Sequence, residues 1–124
     1  MKKMTKEEFA KWMCQRTKNL AVRVVKFCQT LPYGPATKVV VYQLIKAATS
    51  TAGNYRAACR ARSKAEFFSK ISIVVEEADE TLFWLEIMDE SKFECSKKEL
   101  GYLAQEALEI LSIVVTARKN TNRN

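Results

Sequence analysis

The chain has 124 residues, of which 48% are hydrophobic and 28% charged, with three glycines, two prolines, no histidine and a net charge of +7. This length predicts one domain with its own core, and so few turn-forming residues argue against an all-β fold. The absence of histidine excludes Ser-His-Asp and Cys-His catalysis, histidine-ligated zinc or haem and the Glu-x-x-His di-iron site, while the positive charge favours an anionic partner such as nucleic acid or a membrane surface.

Three predicted helices begin at capping boxes, in which a Ser or Thr accepts a hydrogen bond from the backbone three residues on and a Glu reaches back. The boxes lie at residues 5–8, 63–66 and 96–99. Each precedes apolar residues at helical spacing, which predicts helices 1, 3 and 4. Their predicted buried rows are Phe9, Met13, Leu20, Val24, Phe27 and Leu31, then Phe67, Ile71, Val74, Ala78 and Leu85, and then Leu100, Leu103, Ala107, Leu111 and Val114.

Helix 2 is predicted from near Thr37 to about Arg62. It follows the segment Leu-Pro-Tyr-Gly-Pro at 31–35, which interrupts the first helix because proline has no backbone donor. Because successive residues of a helix are about 100° apart, five residues of helix 2 fall within one arc, and we expect them to form a buried row. The row consists of Leu44, Ala48, Thr51, Tyr55 and Ala58.

These elements predict an all-α fold, an up-down-up-down four-helix bundle with short links. The last turn is predicted at residues 91–95. The domain is expected to span residues 1–119, followed by a polar tail at 120–124 that frays.

The basic residues are concentrated in helices 1 and 2. Residues 1–31 hold eight Lys or Arg against two Glu, residues 32–63 hold five and no acidic residue, and residues 64–89 hold two against seven Asp or Glu. A surface that contacts phosphates is one interpretation, and an ordinary solvated face is the other. The candidate nucleic-acid-binding residues are Lys11, Lys18, Lys38, Lys46, Arg56 and Arg60.

Other charged residues favour a structural role. Arg16 and Arg23 lie at the edge of the apolar row of helix 1, and Arg62 lies at that of helix 2, so we expect ion pairs within the protein. Glu77 and Glu80 flank the core of helix 3. The sequence offers no nucleophile with a base and no Gly-rich phosphate loop beside these carboxylates, so we expect neither catalysis nor a metal or cofactor.

Helix 3 carries a second apolar face, which indicates a subunit contact because a four-helix bundle has no central helix. Helix 1 has a second face of small residues, Ala10, Cys14, Thr17, Ala21 and Cys28, that would let a neighbour approach closely. We therefore expect a homo-oligomer. Its candidate interface residues are Ile73, Phe83, Trp84 and Ile87.

The four cysteines are far apart and form no Cys-x-x-Cys motif, so we expect reduced, mostly packed thiols. No apolar run reaches the roughly 18 residues of a membrane span, and residues 1–6 lead into no signal-peptide core. The expected location is the cytoplasm.

Helices 2 and 3 carry a combined motif that resembles the four-helix-bundle family encoded in intervening sequences of bacterial 23S ribosomal RNA genes. The motif consists of Gln43-Leu44-x-Lys46-Ala47-Ala48-x-Ser50, Asn54-Tyr55-Arg56-x-Ala58-Cys59-Arg60-Ala61-Arg62-Ser63, Phe67-Phe68-x-Lys70-Ile71, Glu76-Glu77-Ala78-Asp79-Glu80-Thr81 and Trp84-Leu85-Glu86. Leu31-Pro32 also resembles the family pattern, while Ala57 departs from it, because relatives often have Glu there.

This family is similar in fold to the accessory variability proteins of diversity-generating retroelements, which assemble as basic, barrel-like homopentamers and bind nucleic acid and a reverse transcriptase. The resemblance therefore implies a pentamer of four-helix bundles with a positively charged surface. It supplies no catalytic residue.

The sequence thus predicts a non-enzymatic, oligomeric protein that binds RNA or DNA through phosphate contacts. Sequence-specific readout is not expected, since no recognition-helix or aromatic-stacking motif is evident. Gln43, Ser50 and Asn54 are interpreted as groups that hydrogen-bond across helices or subunits, with capping and RNA contact as the alternatives. Two other functions stay open: an adaptor that docks an acidic partner such as a reverse transcriptase with its template RNA, and an assembly whose charge serves solubility alone.

Overall fold

A computed structural model describes residues 3–122, and within this range the secondary structure consists of helices and turns without a strand. The four helices are α1 (Lys6–Cys28), α2 (Pro35–Cys59), α3 (Lys64–Glu90) and α4 (Lys97–Asn122). The all-α fold with four helices is confirmed.

A threonine or serine caps the starts of α1, α3 and α4 as predicted, but among the described residues the full capping box closes only at α1, because Glu66 and Glu99 pair with arginines instead. Thr5 closes a full capping box with Glu8, with one hydrogen bond of 2.8 Å and one of 3.1 Å. Ser63 Oγ accepts from the Glu66 backbone at 3.0 Å, and Ser96 Oγ accepts from Glu99 at 3.1 Å. These bonds satisfy backbone donors that have no partner inside the helix.

The ends of two helices differ from the predicted positions. α2 begins at Pro35 rather than Thr37, because proline suits the first position of a helix, where its missing N–H costs nothing. It ends at Cys59, three residues before Arg62. α4 continues to Asn122, past the predicted domain boundary at 119, while residues 123 and 124 of the predicted tail lie outside the described part.

A left-handed residue ends α3. Lys92 has φ 59°, the Phe93 backbone donates to the Met88 carbonyl at 3.1 Å, and the Lys92 backbone donates to that of Asp89 at 3.2 Å. This pair of bonds is the Schellman pattern, which usually has glycine at the left-handed position. The turn occupies the segment predicted at 91–95.

The core lies between the helices, and α2 and α3 each pack on two neighbours, whereas α1 and α4 pack less extensively on each other. The predicted row of α2 is buried throughout. In α4, Ile110 is fully buried and Leu111 only partly, because the core row follows a spacing of three and four residues. The other partly buried members of the predicted rows are Phe9, Leu31 and Phe67.

The small residues of α1 contact α2 within the same chain. Thr17, Ala21 and Cys28 are buried, and the Sγ atoms of Cys14 and Cys59 are 3.6 Å apart. At Cys14 the neighbour is therefore α2, and the buried members of this face are covered within their own chain, so they are not available for a subunit contact.

By length and mean hydropathy alone, α4 is apolar enough to cross a membrane over residues 97–121. Charged and polar residues interrupt this stretch, so it contains no continuous apolar run of the kind sought in the sequence. In the structure, Leu103, Ala107 and Val114 of this helix are fully buried, although only 28% of its most apolar stretch is buried. A core helix of a bundle passes the same test, so the hydropathy is weak evidence for a membrane span.

Candidate nucleic-acid interface

One row of exposed residues follows the outer side of α2 for most of its length. Successive members are three or four residues apart, which places them on one helix face, and the row extends for about 33 Å. We call it the α2 stripe, and its members are Lys38, Tyr42, Lys46, Thr49, Gly53, Arg56 and Arg60. It contains four of the six predicted nucleic-acid-binding residues and no acidic residue.

A groove between α1 and α2 brings the other two predicted residues to one end of the stripe. Lys11 and Lys18 of α1 line this groove together with Arg56 and Arg60, and its volume is about 640 Å³. Among the described residues that line it, none is acidic. Four cationic side chains thus surround one concave surface, an arrangement that suits a phosphate backbone.

The floor of this groove is formed by small residues, including Ala10, Cys14, Ala52 and Gly53. A Cβ atom added at Gly53 would meet nothing within 4 Å, so packing does not require glycine there. Glycine inside a helix costs roughly 0.5–1 kcal/mol relative to alanine. The absence of a side chain at Gly53 leaves this part of the groove open between the basic residues.

Lys38 and Lys46 lie apart from that groove, beside a second pocket at the start of α2. This pocket has a volume of about 550 Å³ and is also lined by Tyr33 and Tyr42. The six predicted residues therefore divide into two sets on one continuous face. The two tyrosines were not predicted as site residues. Tyr42 could have been found from its spacing, because it lies four residues from both Lys38 and Lys46.

Ion pairs between α1 and α4 hold the scaffold behind this face. The Arg16 guanidinium bonds Glu106 at 2.7 and 2.8 Å and Glu109 at 2.8 Å, and Arg23 bonds Glu99 at 2.6 and 2.9 Å. The hydrogen bonds to Glu106 are the main cause that raises the pKa of Arg16 above its ordinary value.

The predicted ion pairs of Arg16 and Arg23 are thus confirmed, and both arginines pair with glutamates of α4. The Arg62 side chain is 89% exposed, and its Nη2 atom lies 3.6 Å from Oε2 of Glu66. An ion pair this long and exposed is weak. Glu77 and Glu80 make no ion pair with another described residue.

The polar residues at the edge of α2 bond within that helix. Asn54 Nδ2 donates to the Ser50 carbonyl at 2.9 Å and to its Oγ at 3.0 Å. These bonds are structural, but they lie within α2 and not across helices or subunits as predicted.

The predicted interface residues of α3 divide between core and surface. Trp84 and Ile87 pack in part against the core of their own chain, and Ile73 is half-buried. Phe83 is 48% exposed and lies edge-on to Trp84 with ring centroids 5.0 Å apart. The buried indole N–H of Trp84 has no hydrogen-bond partner among the described residues.

All four cysteines are free thiols, and burial raises the pKa of Cys28 to about 11. Among residues 3–122, no group of three or more His, Cys, Asp or Glu side chains could hold a metal ion.

Comparisons with known proteins place the chain in a family. A search of curated proteins finds no match. Among solved structures, the chain is similar to the crystal structure of a protein of unknown function from the S23 ribosomal protein family of Bacteroides thetaiotaomicron VPI-5482. The two have 25% sequence identity and a TM-score of 0.76, and the match covers 86% of this chain and 98% of that chain. The model of the 23S rRNA-intervening sequence protein family matches residues 11–116, so the chain belongs to that family, as its helix 2 and 3 motifs imply.

Proposed function

We propose that the protein binds nucleic acid without catalysing a reaction, through the α2 stripe and the adjacent groove. The observation that carries the proposal is the convergence of Lys11, Lys18, Arg56 and Arg60 on one groove whose described lining contains no acidic residue. A surface that neutralises several phosphates releases their counterions and binds with a steep salt dependence.

The family name makes a structured RNA, such as an rRNA insert, the first ligand to test. Phosphate contacts carry no sequence information directly, so duplexes of different sequence should bind about equally well. Duplex DNA of the same length serves as the comparison that decides between RNA and DNA.

In the proposed architecture, the helices run up-down-up-down and the bundle associates with copies of itself in the cytoplasm. The cross-helix pairs support antiparallel neighbours: Cys14 meets Cys59, Arg23 meets Glu99 and Arg118 meets Ser72. The pentamer that the family resemblance implies would multiply the basic face and raise avidity for one long ligand.

A charge-reversal experiment tests the proposed interface. Lys46, Arg56 and Arg60 are changed together to Glu, and binding to a structured RNA is measured over a salt series. We expect binding to be lost, with helicity and oligomer mass unchanged. The matched control, Lys92, Lys97 and Lys98 changed together to Glu, alters the net charge equally at the α3–α4 turn and should retain most of the affinity.

A steric experiment tests the groove without changing charge. A Cβ atom meets nothing within 4 Å at either Gly53 or Gly101, but Gly53→Gln places its side chain in the groove, whereas Gly101→Gln places the same side chain on α4, which does not line that groove. Both changes should raise thermal stability because glycine is a poor helix former. Only Gly53→Gln should weaken RNA binding, and equal binding by both variants would place the ligand elsewhere.

The adaptor hypothesis assigns a different ligand, an acidic protein, to the same basic face. If wild-type protein binds neither RNA nor DNA at low salt while the oligomer is intact, the basic face is left for an acidic protein such as a reverse transcriptase. The charge-reversal variant then becomes the control for pull-down experiments.

A further inference from the structure

Two exposed tyrosines lie next to basic side chains at the start of α2. Tyr33 is 89% exposed and Tyr42 is 64% exposed, and both line the same pocket as Lys38 and Lys46. Exposed aromatic rings lose the burial that normally stabilises them in a folded protein. Two such rings beside two lysines therefore point to a ligand with both apolar and anionic parts.

The order of side chains along the helix repeats that combination. Lys38, Tyr42 and Lys46 follow one another at four-residue intervals on the α2 stripe, over about 12 Å of the helix axis. One ring is thus flanked on both sides by an ammonium group. The apolar wall of the pocket includes Leu31, Val41 and Ile45.

Unpaired nucleotides match this surface better than a duplex does. In a duplex the bases are stacked on each other and only their edges face the grooves, whereas an unpaired base can lay its face on an aromatic ring while its phosphate meets a cation. Every base has such a face, so the contact requires no particular sequence.

We propose that the pocket at the start of α2 is a stacking site for unpaired nucleobases, with Tyr33 and Tyr42 as the platforms and Lys38 and Lys46 as the phosphate contacts. The site deepens the proposed function and rests on it. The groove at the other end of the stripe holds the phosphate backbone, and the tyrosine pocket selects ligands that offer a single-stranded segment.

The test uses the full chain with two fluorescently labelled RNAs, an unstructured polyuridylate oligonucleotide and a fully paired duplex of equal length. The variants are Tyr33→Ala and Tyr42→Ala, each beside its Phe counterpart, and Tyr102→Ala removes an exposed tyrosine on α4 as the control. We expect each pocket Ala variant to weaken single-strand binding about fivefold or more, since one base–aromatic contact contributes about 1–3 kcal/mol. The Phe variants keep the ring and should bind within about twofold of wild type.

The salt dependence separates the tyrosines from the lysines. Tyr42→Ala should leave the slope of log affinity against log salt unchanged, while Lys46→Gln should reduce it by about one. Duplex binding should be insensitive to both tyrosine variants.

Failure of this inference is distinguishable from failure of the proposed function. If wild-type protein binds both RNAs, loses both with the Lys46, Arg56 and Arg60 reversal, and keeps its single-strand affinity in both Ala variants, the stacking site is refuted and the basic interface stands. A fall in oligomer mass of the Ala variants without a loss of single-strand affinity would also refute it and assign the tyrosines to a contact between copies. If wild-type protein at low salt binds neither of these RNAs, nor the structured RNA and duplex DNA used above, both proposals fail.

Discussion

Arg16 of α1 and Glu106 of α4 form an ion pair with two parallel hydrogen bonds, and each side chain is only 17% exposed. The pair lies between the two helices that pack least extensively on each other. About two helical turns away, Arg23 bonds Glu99 and stacks on Tyr102 at 3.7 Å. Charge pairing thus stabilises the contact between α1 and α4, where apolar packing is sparse.

Removing one partner of this pair should destabilise the protein. We expect Arg16→Met to lower the free energy of unfolding by about 1–3 kcal/mol, because it leaves the half-buried Glu106 carboxylate without its main partner. Chemical denaturation measures the change. The double variant Arg16→Met with Glu106→Leu should lose less than the sum of the two single variants, and additive losses would show that the pair is not coupled.

The control for this experiment is Arg62→Met. Its pair with Glu66 is long and exposed, so the change should cost less than about 0.5 kcal/mol. A loss as large as that of Arg16→Met would contradict the contrast between the two pairs.

Acid should weaken the contact between α1 and α4. The hydrogen bonds from Arg23 lower the pKa of Glu99, and hydrogen bonds from Gln105 and then Arg16 lower the pKa of Glu109. A carboxyl whose pKa is lower in the folded than in the unfolded state stabilises the fold above its unfolded pKa and loses that contribution as the pH falls through the folded pKa. Thermal unfolding should therefore shift to lower temperature from about pH 4.5 downward.

Glu99→Gln isolates this effect from the general rise in positive charge at low pH. The variant cannot titrate at this position, so its unfolding temperature should fall less steeply between pH 5 and 3 than that of wild type. An identical pH dependence would exclude Glu99 as a contributor.

Mild oxidation should join Cys14 and Cys59. Their Sγ atoms are 3.6 Å apart and must approach to about 2.05 Å to form a bond, a small adjustment for two side chains on adjacent helices. Burial is the main cause that raises the pKa of Cys59 to about 11, so the reaction with diamide should accelerate as the pH rises from 7 to 9. Mass spectrometry after proteolysis identifies the cross-linked peptides.

The cross-link closes a long loop, and it should raise the unfolding free energy by about 2–4 kcal/mol. Cys95→Ser leaves both partners in place and should cross-link normally. Pairing of Cys14 with any other cysteine would contradict the observed register of α1 against α2.

Lys92→Gly should stabilise the protein. Lys92 has φ 59°, a conformation that costs most L-residues roughly 1 kcal/mol and glycine almost nothing. We expect a gain of about 0.5–1 kcal/mol in denaturant unfolding, reduced in part because glycine also gains freedom in the unfolded chain. Lys92→Ala removes the same side chain without relieving the conformation, and an equal gain there would refute the explanation.

Phe83→Glu tests self-association through α3. Phe83 is the most exposed of the four predicted interface residues, so a charge there should lower the oligomer mass measured by light scattering while helicity is retained. Val115→Glu on α4 introduces the same charge at another exposed apolar residue. An unchanged mass for Phe83→Glu would place the subunit contact on another surface.

The helices and most of their buried faces follow from local sequence patterns. Capping boxes act between residues three apart, and a buried row follows from the pitch of the helix, so both can be predicted without knowing the fold. For the same reason, the cationic face of α2 could be predicted from spacing alone. The structure differs from the prediction at the end of α4 and at one position of its core row, where Ile110 is buried in place of Leu111. Both residues are apolar and adjacent, so helical spacing alone does not choose between them.

Tertiary structure decided which residues from different helices meet. Arg16 and Glu106 are 90 positions apart, and Cys14 and Cys59 are 45 apart. No local rule links such pairs, because their contact depends on how the helices are paired and on their register. The same packing placed Lys11 and Lys18 of α1 beside Arg56 and Arg60, and set Tyr33 next to Lys38 and Lys46.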